Sequence, residues 1–247
     1  MKKRVKHKIK VKQESFKLPQ RLKSGIINLD PLIKGGFKEG SVTLVIGGAG
    51  SGKTIFGMQY LVEGLQNGEA GLYLTFEEKK GKLYEDMNVF GWNLQKYENE
   101  GSFHLLEYSP EQVKSLIEEG GGTIEQLVSK AKIRRVVIDS ITSFVLLYQD
   151  ELLRKEAGLA LFELINKWGC TALLTSQGAY KQDELQGVSL EFEADNIIIL
   201  NHLKRNGDRI RSIEVLKMRG TNHTNKTPLF EITSKGVVVH PSKVVHQ

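Results

Sequence analysis

Cysteine is all but absent from this chain: Cys170 stands alone among 247 residues. No internal disulfide is therefore open to it, and a reducing, cytoplasmic setting is expected. Proline is scarce, at five residues, and aromatic residues make up only 8%, which excludes collagen-like and proline-rich low-complexity chains. No apolar run approaches the roughly 18 residues that cross a bilayer. The start, MKKRVKHKIKVKQESF, is basic but has no apolar stretch, so it does not read as a secretory signal. The six histidines show no ligand spacing, and no zinc site is expected. What is present, 40% hydrophobic and 26% charged residues, is the composition of a globular chain whose length suits one α/β domain.

The charge is unevenly placed. Residues 1–23 hold ten Lys or Arg against one acid, Glu14, and the remainder holds 25 bases against 28 acids. The net +6 thus belongs to an N-terminal tail, taken as residues 1–20, ahead of a single domain at 21–247. Such a tail suits nucleic acid, an acidic lipid surface or an acidic protein. A solvated arm is the simpler reading, because no aromatic residue before Phe16 is there to stack on bases.

Beyond the tail, apolar runs alternate with helical periodicity. Strands are expected at Ser41–Ile46, Ala70–Phe76, Phe103–Leu106, Arg135–Asp139, Thr171–Thr175 and Asn196–Leu200. Helices are expected over 53–66, 79–90, 111–118, 123–131 and 151–168. Residues 178–192 read as a polar loop. Asn206-Gly207-Asp208 is a turn between two strand-like runs, and no helix pattern follows. The alternation implies a mostly parallel central sheet with helices on both faces and an antiparallel C-terminal extension. Trp92, Trp168 and Cys170 read as packing residues.

The strongest chemical signal is Gly47-Gly48-Ala49-Gly50-Ser51-Gly52-Lys53-Thr54, which fits G-x-x-x-x-G-K-[ST] between a buried strand and a helix. Glycines let backbone N–H groups close around phosphate oxygens, and the helix that follows points its positive end at the same anion. Residues 47–54, with Ile55 behind them, are the expected nucleotide contacts. Lys53 is placed to reach the β- and γ-phosphates, and Thr54 to bind Mg²⁺. The motif implies a nucleoside triphosphate.

Asp139, at the carboxyl end of the apolar run Val136–Ile138, is the second expected metal-side residue. Glu77 and Glu78 follow the strand ending at Phe76; a carboxylate there suits activation of the attacking water, although two acids opening a helix also answer its dipole. In Leu216-Lys217-Met218-Arg219, strand periodicity puts Lys217 and Arg219 on one face and Leu216 and Met218 on the other. The spacing alone leaves open a phosphate-stabilising cationic finger or a solvated strand face. Gln177, after Ser176 at a strand end, is a candidate γ-phosphate sensor.

These motifs together resemble the RecA superfamily of ATPases, and within it the KaiC-like family, from about Leu22 to Val239. Ser24–Asp30 with Gly35-Gly36 is similar to the family's lead-in segment. Thr75–Glu78 is similar to its catalytic glutamate pair, Val137–Ser140 to its Mg²⁺ strand, and Lys217–His223 to its basic C-terminal motif. The resemblance implies a RecA-like P-loop core, ATP and Mg²⁺ as ligands, and a homo-oligomer with nucleotide between subunits, usually a hexamer. In that arrangement Lys53, Thr54, Glu77, Glu78 and Asp139 would act from one subunit, and Lys217, Arg219 and His223 from its neighbour.

Two departures qualify the resemblance. Clock members carry two copies of the domain, and this chain carries one. Where their autokinase copy has a Ser-Thr phosphoacceptor pair, this chain aligns Glu191-Phe192, so water is the expected acceptor and hydrolysis to ADP and phosphate the expected reaction. The loop also lacks the proline common in the family.

A ring-forming ATPase that switches protein partners fits best. A DNA-stimulated recombinase or helicase relative is opposed by residues 178–192, which hold one Lys and three acids. A non-hydrolysing scaffold is opposed by Glu77 and Glu78, since it needs no base.

Overall fold

The computed structural model of the chain describes residues 19–181, 184–186, 192–205 and 207–245, the pieces 179–181 and 184–186 by backbone alone. Most of the basic tail therefore lies outside the described residues. A short lead-in comes first: β1 (Arg21–Leu22), a 3₁₀ turn (Asp30–Ile33) and β2 (Phe37–Lys38). The alternating part follows, with β3 (Val42–Gly47), α1 (Lys53–Gln66), β4 (Ala70–Thr75), α2 (Lys80–Asn88), α3 (Leu94–Asn99) and β5 (Phe103–Glu107). It continues with α4 (Pro110–Glu118), α5 (Gly122–Ala131), β6 (Ile133–Asp139), α6 (Ile141–Val145), α7 (Glu151–Trp168) and β7 (Thr171–Gln177). A small hairpin, β8 (Ala179–Lys181) and β9 (Glu184–Gln186), leads into β10 (Asn196–Arg205), β11 (Asp208–Met218), β12 (Pro228–Thr233) and β13 (Gly236–Val244).

Nine strands form one sheet in the order β13-β12-β11-β10-β3-β7-β6-β4-β5. The six from β10 to β5 run parallel, and β11, β12 and β13 add antiparallel to the β10 edge. Alternation along each strand feeds two cores. Val42, Leu44, Ile46, Val136, Ile138 and Leu174 face α4 to α7; Val45, Tyr73, Val137, Leu173, Ile198 and Leu200 face α1, α2 and α3. Burial on both faces is why these strands read as continuous apolar runs.

The expected architecture stands, with local corrections. The loop assigned to 178–192 contains the β8–β9 pair. The short helices α3 and α6 fall below the length at which apolar periodicity is legible. α6 fills the step between Asp139 and α7, where Asp150 caps α7 by accepting from the Leu152 and Leu153 N–H groups at 2.8 and 3.1 Å.

One buried ion pair ties the lead-in to the sheet. Arg135 is 2% exposed; its Nε donates to Glu69 Oε2 at 2.5 Å, and its Nη1 donates to the carbonyls of Lys23 at 2.8 Å and Tyr60 at 2.9 Å. The guanidinium also lies over the Tyr60 ring, 4.7 Å from its centre. Glu69 also accepts from Arg134 Nη1 at 2.9 Å, so it is removal of Glu69 that strands a buried charge, that of Arg135. Glu69→Met is expected to cost about 3–5 kcal/mol of unfolding free energy, read from urea melts, with Glu69→Met/Arg135→Met recovering part of the loss.

Candidate nucleotide site

The loop between β3 and α1 lies at the carboxyl end of the sheet, where open α/β folds bind ligands. Gly50 and Gly52 take φ of +70° and +96°, conformations that a side chain would resist. Gly52 is the N-cap of α1, with no side-chain cap and no acid in the helix's first turn. The positive end of a 14-residue helix is thus left for an external anion. The Ser51 hydroxyl is buried without a hydrogen-bond partner among the described residues, and Lys53 Nζ folds back onto the carbonyls of Gly47 and Gly48, at 2.8 and 3.1 Å. Burial lowers the Lys53 ammonium below its ordinary value, while the charges of Asp139 and Glu77 pull it up again. These features fit a polyphosphate.

Asp139 is buried at 9% exposure and fully engaged. Its Oδ2 accepts from Thr54 Oγ1 and from the Tyr73 hydroxyl, both at 2.7 Å, and its Oδ1 accepts from Thr175 Oγ1. The Ser140 hydroxyl beside it is buried and unpartnered among the described residues. A hydroxyl–carboxylate pair with a spare hydroxyl is a hard oxygen donor set of the kind Mg²⁺ takes together with substrate phosphates and water. Among the described residues no group of three His, Cys, Asp or Glu side chains forms a self-sufficient metal cage.

The two glutamates differ. The Thr75 hydroxyl accepts from the N–H groups of Glu77 (3.3 Å) and Glu78 (3.0 Å), which fixes the turn after β4. Glu77 is exposed; its Oε1 accepts from Ser143 Oγ, and its charge acts on Lys53. Glu78 is half-buried, and burial, then the charges of Asp139 and Asp86, hold its carboxyl above the ordinary range. Beside both opens a cleft of about 260 Å³ lined by Thr75–Lys79 and Glu107–Ser109 with Gln112. The Gln177 backbone N–H donates to Thr142 Oγ1 at 2.7 Å, so α6 touches the ends of both β4 and β7.

Tyr73, Thr175, Thr142 and Ser143 were not singled out from sequence. Tyr73 did carry a signal, since a phenol inside an apolar strand must find a partner.

The basic C-terminal residues lie elsewhere. β10 pairs parallel to β3 with Leu200 beside Gly47 and Asn196 beside Thr43, and Met218 pairs with Asn196. Lys217 and Arg219 therefore sit at the opposite end of the sheet from the loop, about 13 Å away along the strand. Both reach the Phe192 carbonyl, but the expectation that Leu216 and Met218 share the opposite face needs correcting. The register shifts so that Ile197 pairs with Lys217 and Ile198 with Val215, leaving Leu216 as an extra, bulged residue. Leu216 then packs with the α7-side core and Met218 with the α1-side core. Lys217 Nζ donates to the Ala194 and Phe192 carbonyls at 2.7 and 3.3 Å, and Arg219 Nη2 donates to the Phe192 carbonyl at 2.7 Å. Arg219 also lies 3.7 Å from Asp195. His223 is half-buried, its Nδ1 2.9 Å from the Thr224 carbonyl. Of the aligned pair Glu191-Phe192, Glu191 lies outside the described residues and Phe192 is 79% exposed.

A phosphate loop, a buried acid at the neighbouring strand end and this sheet order define a RecA-type nucleotide-binding protein. Residues 22–244 match the family described as "ATPase: KaiC", and the chain belongs to that KaiC-like ATPase family. A KaiC-like protein from Pyrococcus horikoshii of known crystal structure is 35% identical, with a TM-score of 0.81 over 91% of this chain and 100% of its own. A UPF0273 protein of Thermotoga maritima is 35% identical over 91% of this chain and 97% of its length. The circadian clock protein KaiC3 of Synechocystis is 35% identical over 92% of this chain but only 46% of its own length. Membership supports an ATP-binding ATPase. No helix among the described residues is long and apolar enough to cross a membrane.

The Glu78 environment makes a prediction about pH. A carboxyl whose folded pKa is raised contributes stability below its unfolded value, here about 4.5, and loses that contribution as pH rises through the folded value. Glu78→Gln is therefore expected to melt higher than the parent near neutral pH. The difference should vanish below the ordinary carboxylate range in a melting-temperature series against pH.

Proposed function

We propose that this protein is a Mg²⁺-dependent ATPase that assembles as a ring, usually a hexamer, and hydrolyses ATP to ADP and phosphate between subunits. Its nucleotide state then switches a protein partner within the cytoplasm. The observation that carries this reading is the separation of charges: the loop, Asp139 and Glu77 gather at one end of the sheet, while Lys217 and Arg219 project from the other. A single subunit holds half of a phosphoryl-transfer site at each end, which a head-to-tail interface would complete.

In this mechanism residues 47–52 and Thr54, with Ile55 behind them, cradle the phosphates through backbone N–H groups and the α1 terminus. Lys53 leaves the loop carbonyls to pair with the β- and γ-phosphates. Thr54 and Asp139 would hold Mg²⁺, which when bound supplies charge neutralisation to the phosphate oxygens. Glu77 is the base that orients and deprotonates the attacking water. Its exposure and its Ser143 contact suit proton transfer better than the protonation-prone Glu78, which tunes the field around Asp139. Gln177 senses the γ-phosphate from the β7 end. Lys217 and Arg219, with His223, reach the neighbour's nucleotide and offset charge developing on the transferred group.

Mixing tests the shared site. Glu77→Gln/Glu78→Gln and Arg219→Ala should each lose at least about 100-fold in ATP turnover, while light scattering still reports an oligomer. An equal mixture should regain activity at about a quarter of the interfaces, those that join an intact base to an intact finger. Two inactive parents giving an inactive mixture would place base and finger in one subunit. Tight ATP binding by the wild type without turnover would leave a nucleotide-gated scaffold.

A further inference from the structure

Beyond Leu200 the β10–β11 pair leaves the sheet. Pairing with β3 ends at Leu200, and β12 meets β11 only at Arg211 and Ser212. Outward of the His202–Arg211 pair, what projects is a two-stranded ribbon with no further strand paired to it among the described residues. Its register sets His202 opposite Arg211, Leu203 opposite Ile210, Lys204 opposite Arg209 and Arg205 opposite Asp208. Opposed residues share a face, and every second pair shares the same one. One face therefore carries His202, Lys204, Arg209 and Arg211. The other carries Leu203, Arg205, Asp208 and Ile210. The basic face is in phase with Leu200 and Ile213, both in the α1-side core, so it continues the side of the sheet that bears the phosphate loop.

This arrangement is poor for the ribbon alone. Two-stranded ribbons are marginal in water, and like charges set directly opposite each other weaken them further. Lys204 and Arg209 are exposed, and among the described residues no acid forms an ion pair with either. An external anion relieves the repulsion.

We propose that the basic face of the β10–β11 ribbon docks the phosphate backbone of a nucleic acid. The face has no aromatic, methionine or aliphatic side chain of the sort that forms the centre of protein–protein interfaces. Phosphates need only cations. Its only ring, the half-buried imidazole of His202, sits at the foot beside the phosphate loop, so the contact is independent of sequence and steeply dependent on salt. The ribbon's foot also meets the phosphate loop: Arg211 Nε donates to the Gly50 carbonyl at 3.1 Å, and a methyl group added to Gly50 would come within 3.4 Å of His202 Nδ1. Backbone binding and the loop's conformation are thereby joined. The proposal does not depend on ring assembly.

The test uses the full chain, a fluorescein-labelled oligothymidylate and a labelled duplex, with anisotropy followed across a salt series. Lys204→Ala/Arg209→Ala removes two cations that belong to no part of the ATP site. On the single strand the slope of log K against log salt should become shallower by about 1.4, and binding at about 0.1 M salt should weaken on the order of 25-fold. Unstimulated ATP turnover and oligomer mass should stay unchanged, and the variant should melt no lower than wild type. Equal slopes and affinities would assign binding to other bases, such as those of residues 1–23, and overturn the proposal. So would no binding by the wild type at low salt, stronger competition by polyglutamate than by unlabelled oligonucleotide, or dissociation of the variant's oligomer.

Discussion

Asp139 is the constraint around which the rest of the site is arranged. A carboxylate at 9% exposure between two apolar layers is costly unless donors surround it. Its donors come from three other elements: Thr54 on α1, Tyr73 on β4 and Thr175 on β7. β6, which carries Asp139, lies between β4 and β7 in the sheet. Satisfying this one charge therefore requires the strand order of the parallel core and the seating of α1 against it. The phosphate loop inherits its position from that seating, because α1 begins where the loop ends.

The same network has a chemical consequence. The charge of Asp139 reaches both Lys53 and Glu78. It opposes the lowering that burial imposes on the Lys53 ammonium, and it adds to the raising that burial imposes on the Glu78 carboxyl. Two adjacent glutamates thus acquire different characters from their surroundings alone, which is how neighbouring acids come to divide roles. The exposed Glu77 faces Lys53 and Ser143; the half-buried Glu78 faces Asp139.

Much of this was legible in the sequence, for identifiable reasons. The α1 limits, 53–66, follow from the glycines before Lys53 and from Asn67-Gly68 after Gln66, and the structure gives α1 those limits. The parallel core was legible because strands buried on both faces write unbroken apolar runs, such as Val136–Ile138. The bulge at Leu216 was not, because strict alternation assumes an unbroken ladder, and an extra residue shows only once β10 is known to be the partner. Nor were Thr175 as a donor to Asp139 and Ser143 as a donor to Glu77. Thr175 and Ser143 look like ordinary strand and helix residues until the fold brings them beside a carboxylate. Short helices such as α6, at five residues, carry too little period to be read.

The β10–β11 pair draws these threads together. Its inner part is a full member of the sheet, with Ile198, Leu200, Ile213 and Val215 buried in the α1-side core; its two ends are cationic. At the loop end Arg211 touches Gly50, and at the far end Lys217 and Arg219 hold the carbonyls of 192 and 194. A strand locked into a sheet moves as one body, because any slip of a single residue would turn its buried side chains outward. A displacement at Gly50 is therefore carried toward Arg219 by translation or tilt of the whole pair rather than by local adjustment. The bulge at Leu216 is the one place along that path where the ladder is already broken and the strand can bend. A strand pair anchored at its middle, touching its own phosphate loop at one end and carrying Lys217 and Arg219 at the other, has the mechanical form needed to link the two ends of the sheet.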